Sequence, residues 1–111
     1  MRITISGNRI TVRAWGRDVL AAEASEITAV AVRAGAHFTP PRLASALVDA
    51  GARLNEIVLT AGDRNVRLSK RARGFGDLVT WLTQQGWAMG AAIEEANRTP
   101  LVRVSVGKAN T

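Results

Sequence analysis

Residues 2–14, Arg2-Ile3-Thr4-Ile5-Ser6-Gly7-Asn8-Arg9-Ile10-Thr11-Val12-Arg13-Ala14, carry two runs of alternating polarity about one Gly-Asn pair. Ile3 and Ile5 fall between Arg2, Thr4 and Ser6, and Ile10, Val12 and Ala14 fall beside Arg9, Thr11 and Arg13. A two-residue turn at Gly7-Asn8 pairs Ile5 with Ile10 and Ile3 with Val12, which puts both apolar rows on one face. One buried face and one solvated face is what a half-buried antiparallel sheet requires, so the fold starts from a hairpin.

Outward from that hairpin the rhythm continues. Gly16-Arg17 supplies a further turn, residues 18–24 a third strand, and the valine-rich residues 27–33 a fourth, giving a meander of four consecutive antiparallel strands. Thr39 then caps a helix expected at about residues 40–50. Its first turn holds Pro40 and Pro41, Leu43, Leu47 and Ala50 form its apolar stripe, and Gly51 stops it. Residues 56–60 and 64–69 form a second hairpin across Ala61-Gly62-Asp63, with Ile57, Leu59, Val66 and Leu68 inward and Arg67 and Ser69 outward. Phe75, Leu78 and Leu82 recur with helical period, flanked by Val79 and Trp81. Asp77 sits in the first turn, where the helix dipole favours an anion, and Gly86 ends the run. Met89, Ala92, Ile93 and Ala96 add another turn or two of helix, and after Pro100 residues 101–106 alternate as a last strand.

A chain of 111 residues is sufficient for one hydrophobic core without staples, and the sequence contains no cysteine to supply any. A single domain over residues 1–111 is expected, in a reducing compartment, with the cytoplasm as the expected location. No run approaches the roughly 20 apolar residues of a membrane span, and no basic segment precedes an apolar signal core. The 15 Lys plus Arg against 9 Asp plus Glu give a net charge of +6, which fits an anionic partner and equally a well-solvated arginine-rich surface.

The stretches Ala24-Ser25-Glu26-Ile27-Thr28-Ala29-Val30, Asn65-Val66-Arg67-Leu68-Ser69 and Gly74-Phe75-Gly76-Asp77-Leu78-Val79-Thr80-Trp81-Leu82 resemble the bacterial pleckstrin-homology-like superfamily. They match a strand entry after the second hairpin, and a polar strand end followed by a Phe-led amphipathic helix. The resemblance covers residues 2–87 and implies an α+β fold: a mostly antiparallel bent sheet or partly open barrel, capped by a C-terminal helix. The helix at 40–50 is an insertion where the superfamily has another strand. Residues 88–111 form an extension of one helix and one strand. That strand is expected to fill the vacant place in this chain's own sheet or in a second copy's.

Catalytic chemistry finds little support. His37, beside Phe38, has no acid near it in sequence; Glu94 and Glu95 are adjacent on a helix and point apart; Asp49 and Glu56 could meet only through folding. No catalytic residue, metal site or cofactor is expected. Gly74-Phe75-Gly76 lacks the full glycine fingerprint of a phosphate loop, and Asp77 stands where the phosphate would sit, so it reads as a turn that lets Phe75 enter the core.

Three features remain as candidate partner-binding residues. Arg64, Arg67, Lys70, Arg71 and Arg73 place five cations in ten residues with no acid through residue 76, either to meet phosphates or an acidic protein or as a solvated loop that blunts a sheet edge. Arg13 and Arg17, with Arg9, form a looser row. Lipid-binding pleckstrin domains cradle an inositol phosphate in a long first loop, and Gly7-Asn8 is too tight for one, so phosphoinositide is not the expected partner. Trp15 falls beside the arginines, either as a contact anchor or in a cation–π contact with Arg13 or Arg17. The expected function is a non-catalytic protein-interaction or assembly module, acting on a protein partner or by self-association. The alternative is nucleic-acid binding through residues 64–73.

Overall fold

The computed structural model describes residues 1–35 and 54–108. The helix expected at 40–50, with His37, Thr39 and Asp49, lies outside the described residues.

The first hairpin has the register its alternation dictates. Strand β1 (Arg2–Ser6) pairs with β2 (Arg9–Ala14), Ile5 opposite Ile10 and Ile3 opposite Val12. Gly7 has φ +59, the conformation a two-residue turn with glycine at its first central position demands. Strand β3 (Arg17–Glu23) follows a second tight turn. That turn is centred one residue earlier than the sequence suggested, on Trp15-Gly16, because Ala14 and Arg17 are already paired. Val12 faces Leu20 while Arg13 faces Asp18, so Val19 is the extra residue of a β-bulge.

The expected meander of four strands breaks after the third. Glu23 runs into a single 3₁₀ turn (Ala24–Glu26), where the Glu26 side chain accepts the Glu23 N–H at 2.9 Å and the Ala24 N–H reaches the Asn8 carbonyl at 2.7 Å. This local capping redirects the chain, and β4 (Ile27–Ala34) joins a second sheet. There β5 (Leu54–Ala61) and β6 (Arg64–Ser69) form the second hairpin. Its loop is two residues long, since Ala61 pairs with Arg64.

The polypeptide is thus α+β, with two antiparallel sheets that do not close into a barrel: β1-β2-β3, and β6-β5-β4-β7. Strand β7 (Val104–Ser105) takes the place beside β4 in this chain's own sheet. It is shorter than the alternation of residues 101–106 implied. Leu101 and Val102 are exposed and precede it, while Val106 is buried and donates to the Val30 carbonyl at 2.8 Å.

Helix α1 (Phe75–Gln84) packs on β1, and helix α2 (Met89–Arg98) on β4, β5 and β7. The second helix is longer than the turn or two its short apolar pattern suggested, continuing past Asn97. Ile10, Ile57, Leu59, Leu78 and Leu82 are fully enclosed between helices and sheets. Each contributes about 1.5–3 kcal/mol by leaving water. Trp87 packs in the same core beyond Gly86, with the Lys108 ammonium 5.1 Å from its ring centre. No helix among the described residues is long and apolar enough to cross a membrane.

Candidate functional site

The outward face of the first sheet follows from its register. Side chains of directly opposed residues project to the same side. Because Ile3 and Val12 point into the core, Arg2 and Arg13 stand opposite one another in water. On the far side of Arg13 the bulge brings Asp18 into line, with Arg13 Nε 3.1 Å from its carboxylate.

On the other side of β1 the chain meets the loop after β6. The Arg73 N–H donates to the Met1 carbonyl at 3.1 Å and the Ile3 N–H to the Arg73 carbonyl at 2.8 Å, a parallel bridge that places Arg73 beside Arg2. That loop is fixed at several points. The Lys70 N–H donates to the Asn55 carbonyl, the Arg71 N–H to the Ser69 hydroxyl and the Ala72 N–H to the Ser69 carbonyl. Ala72 is buried, so its neighbours Arg71 and Arg73 project outward.

Three strands and the loop bridged to β1 therefore carry a lateral row: Asp18, Arg13, Arg2, Arg73. At the ~4.8 Å spacing of neighbouring strands the three arginines span about 10 Å. Like charges directly opposed across strands repel. Only Arg13 is compensated; among the described residues Arg2, Arg17, Lys70, Arg71 and Arg73 take part in no ion pair.

The two basic patches read from the sequence are in this way redistributed. Arg13 and Arg73 come together through Arg2. Arg64, at the opposite end of β6, turns its Nη1 to the Val19 carbonyl of the bulge at 3.4 Å, and Arg67 leans toward Glu56 at 3.6 Å.

Glu56, which the sequence marks only as a carboxylate able to meet Asp49 through folding, is held by three arginines. It is only 6% exposed, the one buried charged side chain among the described residues, and Arg33, Arg67 and Arg103 surround it. Arg103 Nη2 approaches at 2.9 Å and Arg33 Nη2 at 3.3 Å. The four residues come from β4, β5, β6 and the approach to β7, so this ion cluster stitches the second sheet across its width. It reads as a structural tie, since its carboxylate is already saturated with donors.

Trp15 occupies the β2–β3 turn at 100% exposure, with φ +56. Glycine or asparagine usually takes that left-handed conformation; a bulky aromatic there is strained. The contact with Arg13 or Arg17 that would account for Trp15 locally is absent: Arg13 Nη2 turns instead to the Gly16 carbonyl at 3.2 Å. The indole is fully exposed in the turn two residues past Arg13. No family model, curated protein or solved structure matches the chain.

Proposed function

We propose that this domain is a non-catalytic protein-interaction module whose contact centre is the β2–β3 turn, with Trp15 as anchor and Arg13 and Arg17 flanking it. The observation that carries this reading is the combination of complete exposure and left-handed backbone at Trp15. A large apolar side chain in water gains nothing for the fold, and its backbone conformation costs about 1–2 kcal/mol. Tryptophan and arginine are also the residue types that dominate binding energy when desolvated by a partner.

The test is retention of partners from source-cell lysate by the immobilised protein, with and without nuclease, set against Trp15→Asn. A nuclease-resistant partner lost by the variant supports the module; equal retention by both proteins removes Trp15 from the site.

The second reading is nucleic-acid binding through residues 64–73, favoured by Lys70, Arg71 and Arg73 standing without ion pairs among the described residues on one hydrogen-bonded loop. It requires retention that nuclease abolishes, affinity that falls steeply with salt, and near-complete loss on Arg67→Glu with Arg71→Glu.

A further inference from the structure

We propose that the row Arg73–Arg2–Arg13 is the docking site of a short acidic segment of a protein partner, with carboxylates bridging the unneutralised guanidinium groups of Arg73 and Arg2 beside the Asp18-paired Arg13. The partner class rests on the module reading; the site itself rests on the register of β1 with β2 and on the bridge to Arg73.

Three observations select this occupant. First, the sequence places three arginines in adjacent lateral positions, each with a planar fork of donors that matches a carboxylate, and leaves Arg2 and Arg73 without an anion of their own among the described residues. Second, the strip is bounded at one end, where Asp18 closes it beyond Arg13. A run of about 10 Å suits two or three carboxylates, whereas a polynucleotide backbone continuing along the strip meets a negative charge. Third, the sheet face next to the row is Thr4, Thr11 and Ala21, aligned across three strands, so the only exposed aromatic near the row among the described residues is the single Trp15, short of the series of aromatics on which successive bases stack. Trp15 lies in the adjoining β2–β3 turn, two residues past Arg13, which makes it available as a single apolar anchor beside the acidic run.

The row also defines an informative variant. Arg2→Glu inserts a carboxylate between Arg13 and Arg73 and so supplies from within the chain the group the partner would bring. Binding to the site should disappear while the repulsion is relieved, so the variant is expected to melt no lower than the parent protein.

The experiment measures binding of fluorescein-labelled hexaglutamate and of labelled decathymidylate to the full chain at low ionic strength. It compares wild type with Arg2→Glu and with Arg98→Glu, an equal charge change on α2. The expected result is hexaglutamate binding that weakens by about tenfold or more in Arg2→Glu, and clearly less in Arg98→Glu, with wild type preferring the peptide to the oligonucleotide. Absent peptide binding, equal losses in the two variants, or tighter binding of decathymidylate would each overturn the proposal. The two readings fail separately: lysate partners lost by Trp15→Asn but kept by Arg2→Glu would leave the module standing and remove the arginine row from it.

Discussion

Trp81 donates its indole N–H to the Gly7 carbonyl at 2.8 Å, tying the middle of helix α1 to the turn of the first hairpin. The partner carbonyl belongs to a turn whose glycine is held at positive φ, so the bond links two elements that the sequence orders independently. Trp81→Phe keeps the buried ring and removes the donor. It is expected to cost about 1 kcal/mol in urea unfolding with an unchanged m-value. Trp81→Ala, which also opens a cavity, is expected to cost about 3–5 kcal/mol.

Gly74 precedes α1 with φ +87, and a Cβ there would lie 2.5 Å from the Ile3 carbonyl oxygen. The obstacle is backbone, at the point where Arg73 bridges to β1, so no side-chain motion relieves it. Gly74→Ala is expected to destabilise by at least about 2 kcal/mol. In amide hydrogen exchange, faster exchange of the Ile3 and Arg73 N–H groups than of those in β5 would locate the damage at that seam.

Trp15→Asn converts the turn to Asn-Gly, the pair best suited to positive φ at both central positions. Thermal unfolding should show a gain of about 1 kcal/mol, a few degrees in midpoint for a domain of this size. A fall in stability would mean that Trp15 contributes to the fold despite its exposure.

Glu56→Ala leaves Arg33, Arg67 and Arg103 facing one another across the second sheet. Arg33 is about two-thirds covered and cannot move freely into water, so the expected loss is about 2–3 kcal/mol. Arg103→Ala is expected to cost less, because Arg103 is more exposed and two arginines remain on the carboxylate. Its effect should concentrate in faster exchange of the Val106 N–H, which is bonded to β4 just past β7.

Much of this architecture is legible along the chain because the informative periods are local. Ile3, Ile5, Ile10 and Val12 give the first hairpin and even the Arg2–Arg13 opposition, since fixing one pair of a two-residue hairpin fixes them all. Ile57, Leu59, Val66 and Leu68 give the second hairpin in the same way, and Phe75, Leu78 and Leu82 give α1. Which sheet β4 joins is not local. It depends on the Glu26 side chain capping Glu23, a contact that strand periodicity does not encode. The Arg73–Arg2 bridge and the gathering of Arg33, Arg67 and Arg103 on Glu56 join residues far apart in sequence, and the burial of Glu56 shows nowhere in a pattern of alternation. The arginines beside Trp15 are visible in the sequence, whereas its place inside the turn follows from the pairing of Ala14 with Arg17.

The order β6-β5-β4-β7 has a consequence for how the protein is made. Strand β4 gains one neighbour when β5 follows, but among the described residues its other flank is closed by residues 101–106, which are synthesised after both helices. Assembly of the second sheet therefore cannot keep pace with translation strand by strand. Until those residues are made, the backbone groups of Val30 and Val32 lack their native partners, an open edge of the kind that invites wrong pairing.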